Sequence, residues 1–210
     1  MPIEDASGLL SMLWTPLVVV TASHEEERGA QIAVSAFAAS IVPEKPRVMV
    51  EIQKRNHTHA LIDESRRFAI NILPKEHWPW VRRFGFLSQS DVDRFAPAIP
   101  PDDAGGTDLD DGAAPRWRFD THALPLLEDA IGWISCRVVN SMDGGDMTVF
   151  LAVIDEAERL SDAAPAPWSE VRPLLSDDWV AEYGRKISQD IPDSARRMES
   201  IDYTPFQLRD

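Results

Sequence analysis

Arg47-Val-Met-Val-Glu-Ile-Gln-Lys-Arg-Asn-His-Thr-His-Ala-Leu-Ile-Asp-Glu-Ser-Arg-Arg-Phe-Ala-Ile-Asn-Ile-Leu73 changes its pattern twice. Residues 47–52 carry β-branched side chains at alternate positions and read as a strand. From Asn56 to Ser65 the pattern is helical: Asn56 or Thr58 suits a helix start, and Ala60, Leu61 and Glu64 suit its interior. Residues 67–73 alternate again as a second strand, which Pro74 ends.

Working outward, Trp14-Thr-Pro-Leu-Val-Val-Val-Thr-Ala22 reads as a strand buried on both faces. His24 to Gly29 suits a hairpin connection, and Ala30 to Phe37 returns as a strand of small residues. Ile41-Val-Pro-Glu-Lys-Pro46 cannot be mid-sheet, because its prolines lack the N–H that a central ladder needs. Downstream, Trp78 to Phe86 reads as a short helix with aromatic anchors, and Ala96 to Pro115 as a long loop. Ala130 to Asn140 and Met147 to Glu156 form a strand pair around Asp143-Gly-Gly-Asp146. Ala163 to Pro167 is a linker. Leu174 to Arg185 mixes edge strand with helix, and Ile187 to Asp210 is an arm with some helix. Strands and helices do not alternate regularly, so the fold class is mainly β with decorating helices, an antiparallel barrel. Residues 1–160 read as one domain, and 161–210 as a C-terminal extension that completes the fold or serves as a dimer arm.

Composition narrows the function. The chain has 210 residues, 44% of them hydrophobic and 27% charged, an ordinary globular mixture. Its 35 acidic against 21 basic residues give a net charge of -14, which argues against a nucleic-acid partner. The run Trp14 to Ala22 is too short to span a bilayer, and the acidic start lacks a secretory signal's positive region, so no membrane partner and a cytoplasmic location are expected. Cys136 is the single cysteine and lies in an apolar strand-like run, which suits a small buried thiol.

The common nucleotide and hydrolase motifs are absent: no Gly-x-Gly-x-x-Gly after a strand, no Walker lysine, no Gly-x-Ser-x-Gly elbow. His57 and His59 diverge on a helix and share a face on a strand; with no third ligand in sight, no metal site is assigned. Gln53-Lys-Arg-Asn-His-Thr58 does stand out. Lys54 and Arg55 offer charge-assisted bonds, and Asn56, Thr58 and the free N–H groups of a helix start offer further donors to a phosphate. The same residues also suit a solvated turn in which Asn56 or Thr58 caps the helix. Ala33 to Ser40 is rich in small residues, which let a flat ligand approach the backbone or let a helix pack closely. Trp78 and Trp80 suit either a substrate cleft or the anchoring of a short helix.

Taken in order, these segments resemble the flavin-reductase-like FMN-binding family. The resemblance runs through Thr15 to Thr21, Val34-Ser-Ala-Phe37, Val42 to Val48, Asn56 to Ile62, Arg67 to Leu73, Asp93-Arg-Phe95 and Gly145 to Phe150. It implies an FMN-binding split β-barrel that works as a homodimer. It places the flavin ring and ribityl contacts at Ser35, Ala36, Phe37, Ala38 and Ser40. It places the phosphate at Gln53, Lys54, Arg55, Asn56 and Thr58. FMN is the implied cofactor, with FAD possible, and NAD(P)H the implied reductant, so the implied activity is NAD(P)H:flavin oxidoreduction. Flavin is handed to a partner oxygenase or kept as a prosthetic group. The flavin carries the hydride chemistry, and no catalytic side chain is named. Many family members carry Gly-Asp-His-Thr where this chain has Gly145-Asp-Met-Thr148, so Met147 removes an imidazole. That departure motivates one alternative, an FMN-binding electron carrier or sensor without reductase turnover. A second, a pyridoxamine-phosphate-oxidase-like split-barrel enzyme, would use the same phosphate cradle, though the motif order fits it less well.

Overall fold

The β-branched run at residues 18–24 forms strand β1 (Val18–His24), and its side chains feed two layers of core at once. Val18, Val20 and Ala22 point to one cluster, with Val50, Ile52, Phe68, Phe150 and Ala152. Val19 points to the other, with Leu73, Trp80, Phe84, Leu127 and Trp179. This explains why Leu17 to Val20 are apolar at every position rather than at every second one.

The computed structural model describes residue 13 and residues 16–88, 92–96 and 114–202. After β1 come β2 (Glu27–Ala33), β3 (Ala36–Ala38), β4 (Arg47–Gln53), helix α1 (His57–Ser65) and β5 (Arg67–Ile72). A short π-helical turn at Arg82–Phe86 precedes the small pair β6 (Trp117–Phe119) and β7 (Pro125–Leu127). The long hairpin β8 (Gly132–Asp143) and β9 (Met147–Arg159) follows, then α2 (Trp168–Val171) and α3 (Asp177–Asp202). Seven strands make one antiparallel sheet in the order β2-β1-β5-β8-β9-β4-β3. It curls until the β2 edge comes back against β4, giving a half-barrel with a split between its edges.

The expected strand Ala30 to Phe37 is two strands. β2 pairs with β1 and ends at Ala33, whereas β3 pairs with β4 at the opposite edge of the sheet. Residues 34–35 cross the split, and the Ser35 carbonyl accepts the Glu51 N–H at 3.0 Å. The expected hairpin connection shrinks to Glu25 and Glu26, with Glu25 in the left-handed region at φ 52°. Leu174 to Arg185 holds no strand, since α3 begins at Asp177. The 163–167 linker is pinned: Ala166 is buried, accepts the Leu17 N–H at 2.8 Å and donates to Leu73 O at 3.0 Å. β6 and β7 were not anticipated. Asn71 fastens β7 to the sheet, donating to Val19 O at 3.0 Å and accepting the Leu127 N–H at 2.7 Å. The expected long loop falls mostly on residues 97–113, and Trp14 and the chain end at 203–210 also lie outside the described residues.

Cys136 is buried on β8, and burial pushes its thiol well above the ordinary range. Trp80 is buried, with His77 stacked on it at 4.0 Å. Trp78 packs on Trp179 at 6.4 Å. Both indoles therefore anchor helical turns. Among the described residues no helix is long and apolar enough to cross a membrane.

Candidate functional site

The split between the sheet edges opens into a cavity of about 800 Å³. Gln31 to Ser35 line one side, Glu51 and Gln53 of β4 the floor, and Arg55 to Thr58 one end. Met147 stands opposite Gln53 in the β4–β9 ladder and also faces the cavity. Phe84 to Ser88 and the α3 residues Tyr183, Lys186, Gln189 and Asp190 close the remaining wall.

The turn from β4 into α1 is held from three directions. Lys54 donates its backbone N–H to Asp146 O at 2.9 Å and its Nζ to Asp143 Oδ1 at 2.5 Å. That bond, with the Gly145 N–H, holds the Asp143 carboxyl below its usual range. Gly145 sits at φ 92°, a conformation that favours glycine at this hairpin turn. Arg55 donates Nε to Gln53 Oε1 at 3.0 Å and ion-pairs through Nη1 with Asp190 of α3. Asn56 occupies the N-cap position of α1, but its side chain bonds no helix N–H, and no acidic residue lies in the first turn. The end of the helix dipole is thus left for a ligand. Thr58 is buried under the β1–β2 hairpin, where a Cβ on Gly29 would stand 2.9 Å from its Oγ1.

Of the residues expected to bind cofactor, Ser35, Gln53, Arg55, Asn56 and Thr58 come together on this cavity. Ala36, Phe37 and Ala38 pair with β4 beyond it, Ser40 Oγ accepts the Val42 N–H at 3.1 Å, and Lys54 turns to Asp143. His57 and His59 diverge as a helix requires: His57 meets Glu27 at 3.4 Å, and His59 Nε2 lies 2.8 Å from Thr148 Oγ1.

Sequence reasoning missed Gln31, Arg94 and the α3 wall. Gln31 is 6% exposed, and its Oε1 accepts no hydrogen bond among the described residues. Arg94 is 8% exposed and donates to the carbonyls of Ala30 and Leu87. Burial lowers its pKa to about 10, which leaves it cationic at neutral pH. It clamps the free edge of β2 to the end of the π-turn. The one available signal for α3 was helical spacing: Tyr183, Lys186 and Asp190 fall at i, i+3 and i+7.

A family model described as "Flavin reductase like domain" matches residues 10–177, most of the chain. A ferric-chelate reductase (NAD(P)H) from Archaeoglobus fulgidus is 28% identical over 149 residues, 70% of this chain and 77% of that protein. A high molecular weight rubredoxin from Moorella thermoacetica is 23% identical over 73% of this chain, which spans only 59% of that protein's length. The reductase component of a 4-nitrophenol monooxygenase from Rhodococcus opacus is 27% identical, covering 68% of this chain and 64% of that one. Among solved structures, a flavin reductase from Haemophilus somnus superposes with a TM-score of 0.63 at 17% identity, covering 79% of this chain and 93% of that chain. At that identity the likeness is one of fold. The half-barrel, the cavity in its split and the extent of the family match agree: the chain belongs to the family of proteins with a flavin reductase like domain.

Proposed function

We propose that this chain is an NAD(P)H-dependent flavin oxidoreductase that holds FMN in the split of the half-barrel, as a homodimer, and supplies a partner oxygenase. The observation that carries this reading is the β4–α1 joint, where Arg55, Asn56 and an uncapped helix N-terminus face the cavity. The residues present fit a flavin. The volume of about 800 Å³ lies within the range of cofactor sites. Arg55, Asn56 and Thr58 are the residues that would hold its phosphate. Gln31, with an unsatisfied buried acceptor, and Ser35 are those that would meet the polar edge of its ring. Bound flavin supplies the hydride-accepting ring. The sheet residues and Phe84–Ser88 that line the cavity would orient that ring and keep water from it.

Next to Arg55 and Gln53, a separate cavity of only about 60 Å³ is lined by Asp146, Asp190, Asp193 and Arg197. That favours a terminal phosphate over the longer adenylate of FAD. The named activity of the Archaeoglobus relative supports NAD(P)H as reductant, and the Rhodococcus relative's role as a reductase component supports an oxygenase partner. A homodimer is supported by an apolar strip on the β3 edge, where exposed Phe37 and Met49 are register partners and Ile41 is fully exposed. A cytoplasmic setting follows from the use of NAD(P)H.

The visible spectrum of purified protein, recorded before and after anaerobic NADH, tests the reading. A flavin band that bleaches on NADH addition is expected. Colourless protein that leaves added FMN fully fluorescent defeats it. Met147 favours one second reading, flavin binding without turnover, because a thioether in the cavity has no proton to give. NADH consumption under excess flavin separates the two: sustained turnover removes the second reading.

A further inference from the structure

Helix α3 starts at Asp177, where the family match ends, yet four of its residues line the cavity. The wall they build thus lies beyond the residues that the family model matches. Trp179 is buried and packs against Trp78, with the Arg82 guanidinium 5.3 Å from its ring centre. The Tyr183 ring stacks on Phe86 at 4.6 Å, and Lys186 Nζ donates to Phe86 O at 3.0 Å. Further along, the helix backbone presses on the β8–β9 turn so closely that a Cβ on Gly145 would stand 2.7 Å from Met198 Cα. Between these anchors Asp190 reaches Arg55, the one arginine of the β4–α1 turn.

We propose that Asp190 determines how strongly the site prefers phosphorylated over unphosphorylated flavin, by competing with the phosphate for Arg55. The inference rests on the flavin reading given above. Both side chains are about one-third exposed, 35% for Arg55 and 33% for Asp190, so the guanidinium is neither fully solvated nor free. A phosphate is the stronger partner for it, offering a dianion and bidentate geometry. To use Arg55 the phosphate must displace Asp190 or settle beside its charge. The small space beside the pair is lined by Asp146 and Asp193 but also by Arg197. Asp193 is already engaged by Arg196 and Arg197, so Asp190 is the carboxylate that Arg55 itself meets. Riboflavin, which carries no phosphate, meets none of this opposition. The carboxylate therefore weakens FMN selectively and keeps the joint charge-balanced when no phosphate is present.

Dissociation constants for FMN and riboflavin, measured by flavin fluorescence on the full chain, test the proposal. Asp190→Asn is expected to raise the ratio of FMN to riboflavin affinity about three- to five-fold, the scale of a half-exposed ion pair. In an Arg55→Gln background the same substitution is expected to leave the ratio unchanged. If Asp190→Asn merely loosens α3, both affinities rise together and the ratio stays constant, which overturns the proposal. A gain that persists without Arg55 also overturns it, because Asp190 would then act by charge alone. A wild-type chain that binds neither flavin fails the underlying reading. A wild type that binds FMN, paired with an unresponsive Asp190→Asn, fails this inference only.

Discussion

The two walls of the cavity are held by different physics. The sheet wall, with Glu51 and Gln53 on β4 and Met147 on β9, is fixed by a backbone ladder in which β4 is bonded on both sides. The helical wall divides in two. Phe84, Phe86 and Trp179 are buried in the core cluster under β1. By contrast, α3 from Tyr183 to Asp190 is held by side chains, among them a ring stack, a lysine–carbonyl bond and the ion pair with Arg55. Ladder and core contacts break together with the fold, whereas a few side-chain contacts can open locally. The difference teaches that Arg55, at the end of a laddered strand, meets Asp190, on a helix stretch held by side chains, so the two ends of that ion pair differ in how firmly they are held.

The strongest way to break this comparison is Phe150→Ala. Phe150 is fully buried on β9, opposite Val50, inside the barrel cluster. Its removal is expected to cost about 3–5 kcal/mol. Urea unfolding should shift as one transition with both walls lost together. A smaller and more local test is Gly29→Ala. The added Cβ would stand 2.9 Å from Thr58 Oγ1 and 3.1 Å from Thr58 Cα, so the first turn of α1 must shift. Overpacking of this kind costs about 1–3 kcal/mol. It should weaken FMN more than riboflavin, because the phosphate joint moves while Gln31 and Ser35 stay. Equal losses for both ligands would place the phosphate elsewhere.

Tyr183→Ala sharpens the comparison from the other wall. It removes the stack on Phe86, a contribution of about 0.5–1.5 kcal/mol. Amide hydrogen exchange should accelerate along α3 and remain unchanged in β4, β5 and β8. Acceleration throughout the sheet would mean that α3 belongs to the same cooperative unit, and the distinction between the walls would fail.

The same contrast decides how much was legible in the sequence. Residues 47–73 announce strand, helix and strand because each local pattern agrees with its neighbours, and all three elements form. The turn into α1 was readable as a strand-to-helix turn, because Asn56 suits the N-cap position that it occupies. The break in Ala30 to Phe37 was not readable, since small residues satisfy one long strand as well as two strands on opposite edges. Which β4 neighbours face the cavity depends on how far the sheet curls. Ala36 to Ala38 were therefore expected at the site but pair beyond it. The α3 wall was hidden for a further reason: the spacing of Tyr183, Lys186 and Asp190 marks one helix face, but what that face covers is set only by long-range packing.

The smallest expected effect concerns the joint behind the sheet wall. His59 on α1 lies 2.8 Å through Nε2 from Thr148 Oγ1 on β9, with its ring 5.4 Å from Phe150. Its pKa is lowered from 6.5, chiefly by burial. Lys54 and Arg197 push the same way, while Asp63 and Asp143 oppose them. On acidification the unfolded chain therefore takes up this proton before the folded one does. His59 costs no stability well above 6.5, and stability falls as pH drops from about that value through the lowered pKa of the folded state. His59→Gln can keep a hydrogen bond to Thr148 but cannot titrate. Its urea midpoint should thus vary less than the wild type's across that window, with the two curves parallel at higher pH. The α3 amides should exchange alike in both proteins at either pH, because the affected contact ties α1 to β9. If acid instead releases α3 first, His59 does not govern the acid response, and the helical wall would be the pH-responsive element of the site.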